Sequence, residues 1–248
     1  MPLPSPILDP DAPLYDAHVH LGFCSDPAGV AQAGQAAGIS AFCNTVTPEE
    51  YLALSPALSH CENIDLGAGL HPWWVKEDSD QLELALSLVK ESEFVGEVGL
   101  DFSPTRTELA IHQITCLREI LQACSREGGK TISIHCVRAY DNLFALFEET
   151  HVLESCTCIL HWFSGSGDDL VRARRLGCSF SVGPRMIASR RGRSYAAQIP
   201  ADRLLLETDG PDVNALAPDF APASVDVDEW RGELESLRAT LEELRGGR

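Results

Sequence analysis

The sequence predicts a (β/α)8 barrel, on three observations. Short apolar, β-branched runs alternate with helical patterns along the chain, which is how a parallel sheet reads. Eight such units fall within 248 residues, the size and count of a closed barrel. The first turn, H-L-G-F-C-S-D, is not the glycine-rich turn with which the competing architecture, an open doubly wound sheet, usually begins. Hydrophobic residues at 44% supply a sizeable core, and 23% charged is ordinary for a globular chain. Without a splitting linker or internal repeat, one domain is expected over 1–248.

A loose Pro-rich arm at 1–13 precedes the first expected strand, 14–20 (LYDAHVH). Strands then follow at 39–46 (ISAFCNTV), 64–70 (IDLGAGL), 94–100 (FVGEVGL) and 131–136 (TISIHC). The last three are 157–163 (TCILHWF), 179–183 (SFSVG) and 203–208 (RLLLET). Helices are expected at 27–37, 48–58, 79–92, 105–127, 139–151, 167–176 and 189–198, with an acidic amphipathic helix at 226–244.

The formal net charge of −18 excludes non-specific binding of nucleic acid over the whole surface, though not a local basic site. Positive charge is packed into one stretch: Arg172, Arg174, Arg175, Arg185, Arg190, Arg191 and Arg193. Nine cysteines, an odd number with no C-x-x-C pair, read as buried small hydrophobes in a reducing compartment. No apolar run is long enough to span a bilayer, and the first residues lack the basic and apolar regions of a signal peptide. A cytoplasmic protein is expected.

The placement of histidine and carboxylate is the main functional signal. Asp16, His18 and His20 alternate with apolar residues on the first strand, so they share one face. His71, Glu97 (with Asp101 beyond it), His135, His161 and Asp209 fall at the carboxyl ends of further strands. That is the face on which barrel enzymes build their active sites. Converging carboxylates repel one another and are costly to desolvate. Divalent cations relieve both costs. Imidazole and carboxylate without thiolate suit Zn²⁺, Mn²⁺, Fe or Ni, and a carboxylate-dominated site also admits Mg²⁺. The donors exceed what one tetrahedral ion needs, so two ions sharing a carboxylate are expected, with Glu97 a candidate bridge.

These residues lie in D-A-H-V-H (16–20), G-L-H-P (69–72), G-E-V-G-L-D (96–101), S-I-H-C (133–136), L-H-W-F-S-G (160–165) and L-L-E-T-D-G-P (205–211). In this order they resemble the TatD family of metal-dependent hydrolases, relatives of the amidohydrolase superfamily that include deoxyribonucleases. The resemblance implies a (β/α)8 barrel with a two-metal centre. His18, His20 and Asp209 would hold one ion, His135 and His161 the second, and Glu97 would bridge. Asp209 would take a proton from metal-activated water, and His71 would meet a substrate phosphate or water. Asp16, Asp101 and Glu207 would orient ligand histidines or loop backbone.

The sequence also departs from the family's pattern. Phe102 is followed by Ser103 and Pro104 rather than a second aromatic, and Val137 precedes Arg138 where a basic residue is common. The loop after T-D-G-P, D-V-N-A-L-A-P-D-F-A-P, has no basic residue. Arg185 and the loop containing Arg190 and Arg191 are the candidate replacements for phosphate contacts, with Trp73 a candidate base-stacking surface. The leading expectation is a monomeric deoxyribonuclease acting on single strands or 3′ ends. A small-molecule amidohydrolase or lactonase, and a catalytically restricted subunit of a larger protein complex, are the alternatives. No membrane partner is expected.

Overall fold

A computed structural model of the chain describes residues 12–77, 79–211 and 220–246, so most of the expected arm at 1–13 and of the loop after Pro211 lies outside the described residues. The strands are β1 (Leu14–Val19), β2 (Ile39–Asn44), β3 (Ile64–Gly67), β4 (Phe94–Asp101), β5 (Thr131–Val137), β6 (Thr157–Leu160), β7 (Ser179–Val182) and β8 (Leu204–Leu206). Between them run α1 (Pro27–Ala36), α2 (Pro48–Leu58), α3 (Ser79–Glu91), α4 (Ala110–Glu127), α5 (Tyr140–Thr150), α6 (Gly167–Leu176), α7 (Pro184–Ile187) and α8 (Arg190–Ala196); α9 (Val227–Gly246) follows β8. The sheet order is β3-β2-β1-β8-β7-β6-β5-β4, with parallel pairing. The two ends of that order also meet. Ala68 N–H donates to the Phe94 carbonyl at 3.2 Å, Gly96 N–H to that of Ala68 at 3.1 Å, and Leu70 bridges Val98. The alternation read from the sequence therefore produces a (β/α)8 barrel.

Element ends differ from the expected ones where the backbone turns sharply. Arg138, Trp162 and Asp209 have φ of 55°, 40° and 57°, a left-handed conformation that takes the chain out of β5, β6 and β8. The expected helix at 105–127 begins with a separate 3-10 turn, Thr107–Leu109. The expected helix at 189–198 is the shorter α8, preceded by α7 with Pro184 in its first turn.

By backbone proximity the described residues form two compact units. The first draws on Met1–Cys43, Ala53–Asp65 and Ser181–Arg248. Its core contains Leu21, Ile39 and Phe42, and α9 adds Trp230, Leu234, Leu237 and Leu241, a stripe at helical spacing. The buried Asn63 amide closes two loose carbonyls, those of Ala31 and Ile39, both at 3.0 Å. The second unit draws on Asn44–Leu52 and Leu66–Phe180. Phe144, Phe147, Phe180, Ile120, Ile132 and Ile134 are buried in it.

Two motif glycines are required by close approach. A Cβ on Gly69 would stand 1.8 Å from the Thr45 carbonyl oxygen, and one on Gly99 would stand 1.9 Å from that of His135. Gly99 also has φ of +155°, which side-chain-bearing residues rarely adopt. The spacing of G-L-H and G-E-V-G-L-D thus lets strands lie close enough to bring His71, Glu97 and His135 together.

Two predictions follow from the packing. Gly99→Ala has no relaxed conformation available and should cost at least about 2 kcal/mol of stability, read by urea unfolding. All nine cysteines are free and eight are buried. Burial pushes the Cys24 and Cys116 thiols up to about 11 and that of Cys124 up to about 12. At pH 8 an alkylating reagent followed by peptide mass analysis should label the half-buried Cys156 first, and the other eight only after unfolding.

Candidate metal centre

Within the first unit, β1 ends by presenting His18 and His20, and the turn after β8 presents Asp209. Backbone bonds hold the two segments together: Asp209 N–H donates to the His18 carbonyl at 2.9 Å, and His20 N–H to that of Gly210 at 2.7 Å. The His18 and His20 Nε2 atoms are 3.1 Å apart, and Asp209 Oδ1 lies 3.8 and 3.5 Å from them. Ligand atoms of a tetrahedral zinc ion, bonded at 2.0–2.1 Å, sit about 3.3 Å from one another. The donor set and its spacing fit a divalent cation.

Asp16 underlies this cluster. It is fully buried, and its Oδ1 accepts the backbone N–H of His18 at 3.2 Å and of Thr208 at 3.0 Å. Its Oδ2 accepts the Thr208 hydroxyl at 2.6 Å and the Trp230 indole N–H at 2.8 Å. Burial pushes the carboxyl up to about 7 in spite of these bonds. Three of the four partners are N–H groups that can only donate, so the pocket is built for the carboxylate. Asp16 therefore fixes the backbone on both sides of the cluster without turning a free oxygen toward it.

In the second unit, His135 Nδ1 lies 2.9 Å from Glu97 Oε1, His71 Nε2 3.3 Å from the same oxygen, and His161 Nε2 3.7 Å from it. The other side of His135 meets Asp101, with Nε2 3.2 Å from Oδ2. Burial alone would raise the Asp101 pKa. Hydrogen bonds from His135, Trp73 and Ser103 outweigh it and hold the carboxyl well below the usual range. An ionised Asp101 accepts a hydrogen bond from the His135 Nε2–H, so the Nδ1 lone pair of the neutral ring points at a second carboxylate. Burial opposes a charge on His135, but its bonds to Asp101 and Glu97 raise its pKa, and an added proton fills the gap. A divalent cation fills it equally well.

His71 is set differently. Its Nδ1 accepts the backbone N–H of Trp73 at 3.0 Å. The neutral ring therefore carries its proton on Nε2 and faces Glu97 and His135 as a donor. Metal ligation through Nε2 would need that proton removed, so with this tautomer His135 and His161 are the histidines around Glu97 that could hold a cation.

The family model described as TatD related DNase matches residues 15–244. The chain belongs to that family. Curated relatives include the 3'-5' ssDNA/RNA exonuclease TatD of Erwinia amylovora, 31% identical over 210 residues, or 80% of each chain. The protein of the same name from Pantoea ananatis is 29% identical over 91% of this chain and 95% of its own. Among solved structures, the TatD homologue YjjV of Escherichia coli is 24% identical, with a TM-score of 0.75 over 93% of this chain and 90% of that one. A TatD family hydrolase from Entamoeba histolytica, 16% identical, has a TM-score of 0.70 over 94% of this chain and 92% of its own. These two likenesses show the fold.

The other candidate site residues are scattered more widely. Glu207 is buried and accepts the Ser181 hydroxyl at 2.5 Å. Arg185 reaches Asp209, Nη1 to Oδ2, at 3.6 Å. Arg190 and Arg191 are exposed on α8, where Arg191 lies over the Tyr195 ring at 6.0 Å. Trp73 lies beside His71, ring centroids 5.2 Å apart. Sequence reasoning missed Trp230, whose signal was a lone aromatic residue in an acidic helix. Trp230→Phe keeps a ring against Gly34 but removes one donor from a buried carboxylate. It should cost about 1–3 kcal/mol in urea unfolding.

Proposed function

We propose that this chain is a metal-dependent nuclease that hydrolyses phosphodiester bonds of single-stranded nucleic acid, DNA first, from a 3′ end. One observation carries the reading. Two groups, His18 and His20 about Asp209 and His71, His135 and His161 about Glu97, each turn imidazole nitrogens toward a carboxylate oxygen, at 3.5–3.8 Å and 2.9–3.7 Å. Each group holds one ion, and zinc, manganese or magnesium suits the donors. When bound, the ions supply charge that acidifies water and stabilises the anionic transition state. The names of the curated relatives, 3'-5' ssDNA/RNA exonucleases, support the substrate and its polarity.

The chain's own groups have distinct tasks. Asp209 turns Oδ1 to the histidines and Oδ2 to Arg185, and it takes the proton of the attacking water. As the new bond to phosphorus forms and the bond to the leaving sugar oxygen breaks, that oxygen takes up a proton. The His71 Nε2–H donates to a phosphate oxygen. Glu97 positions His135 and His161 and, through Oε1, keeps His71 aimed. Arg185 holds the phosphate side of Asp209, while Arg190 and Arg191 add looser charge on α8. The free, mostly buried cysteines support a reducing cytoplasm, and no helix among the described residues is long and apolar enough to cross a membrane. We assign the active species as a monomer.

Elemental analysis of the purified protein should find divalent metal, and a 5′-labelled single-stranded oligonucleotide should be shortened progressively from its 3′ end. Asp209→Asn should lower kcat by about 10²–10⁴ with an unchanged circular dichroism spectrum. Turnover of small lactones or cyclic amides with no oligonucleotide product under any of the three metals would overturn the reading.

A further inference from the structure

Arg106 and Trp73 form a feature that the proposed mechanism does not use. The Arg106 Cζ stands 5.1 Å from the centroid of the Trp73 ring. Ion pairs tie down other arginines: Arg118 with Glu149, Arg172 with Glu148, Arg231 with Glu235, and Arg185 with Asp209. Among the described residues the Arg106 guanidinium has no carboxylate partner. In a chain of net charge −18, an unneutralised cation held over an aromatic ring is a conspicuous local source of positive potential.

The ring under it is fixed at two points of the site. The Trp73 Nε1–H donates to Asp101 Oδ2 at 2.6 Å, and that same oxygen lies 3.2 Å from His135 Nε2. The Trp73 backbone N–H donates to His71 Nδ1 at 3.0 Å. The indole is nevertheless 38% exposed. Trp73 is thus a platform whose inner edge is bonded to the group that orients His135, and whose face carries Arg106. A guanidinium held over a ring by cation–π attraction keeps N–H donors for a further partner, and its fork can grip a phosphate with two parallel bonds. Because the side chain is already seated, less entropy is lost when it binds.

We infer that Arg106, seated on Trp73, is a phosphate-binding residue that holds a backbone phosphate of the single strand next to the His71–Glu97–His135 cluster. This rests on the nuclease reading. It also supplies in another loop the basic residue that is missing after T-D-G-P. Arg106 precedes the 3-10 turn before α4, outside the arginine-rich stretch at 172–193.

The test compares Arg106→Ala, Arg106→Lys and Arg118→Ala. The last removes the same charge from an exposed pair on α4. Binding of a fluorescein-labelled oligodeoxythymidylate is followed by anisotropy in EDTA across a salt series, and cleavage is measured separately with metal. Arg106→Ala should bind about 5–10-fold more weakly at 50 mM salt. Its log–log salt slope should be shallower by about 0.7, the loss of one phosphate contact on a single strand. KM should rise by the same factor with kcat within about twofold. Arg106→Lys keeps the charge and loses the stack, so the slope should return while affinity stays below wild type. Arg118→Ala should match wild type. If wild type cleaves and Arg106→Ala binds with the same affinity and slope, the phosphate assignment is overturned and the nuclease reading stands. If wild type neither binds nor cleaves the strand, the nuclease reading falls and takes the assignment with it.

Discussion

A carboxylate oxygen and the lone pair of an imidazole nitrogen do not approach within about 3 Å in a buried place unless a proton or a cation lies between them. That constraint governs the carboxyl ends of the strands. It acts at Glu97, whose Oε1 lies 2.9 Å from His135 Nδ1, with His71 and His161 at 3.3 and 3.7 Å; at Asp209 the approach is looser, Oδ1 standing 3.5 and 3.8 Å from His20 and His18. The surrounding bonds then decide which positively charged species fits. Asp101 claims the Nε2 proton of His135, and the Trp73 backbone claims the Nδ1 lone pair of His71. With these protons assigned, His135 offers a lone pair and His71 offers a donor. Two histidines of similar burial thus acquire opposite roles from hydrogen bonds on their far sides.

Keeping the donors so close demands a backbone that does not give way. Gly69 and Gly99 allow carbonyls to approach where a methyl group would collide, and they explain the glycines flanking His71 and Glu97. Asp16 does the corresponding work for the first cluster by bonding main chain on both β1 and the turn after β8. Trp230 on α9 completes that arrangement. The closing helix, which reads in the sequence as little more than an acidic amphipathic surface, therefore supports the strand that carries His18.

Much of this was legible because side chains on a strand alternate with period two. Asp16, His18 and His20 had to share a face, and the remaining histidines and carboxylates had to emerge at strand ends once the alternation of strands and helices was recognised. The grouping of imidazoles about Asp209 and about Glu97 follows from that placement. The exact strand ends did not, since Arg138, Trp162 and Asp209 turn left-handed without the glycine that usually announces such a turn. Nor did the bond from Trp230 to Asp16, which joins residues 214 apart in sequence. The arginine-rich stretch attracted attention by its density. In the fold, Arg172 is spent on Glu148 and Asp141, whereas the isolated Arg106 stands over Trp73. Density of charge is visible in a sequence. Whether each charge is neutralised is a tertiary fact.

This difference bears on how an acidic protein handles a polyanion. At physiological ionic strength, charges separated by more than about 8 Å through solvent are largely screened from one another. A net charge of −18 spread over the surface therefore discourages adhesion along a strand without preventing a bond at one point. What decides binding is the sign of the potential within a Debye length of the catalytic groups. In the second unit the ionised Asp101 accepts the Trp73 indole N–H, and Arg106 stands over that ring. On the assignment made above, Arg106 is the group there that favours a phosphate.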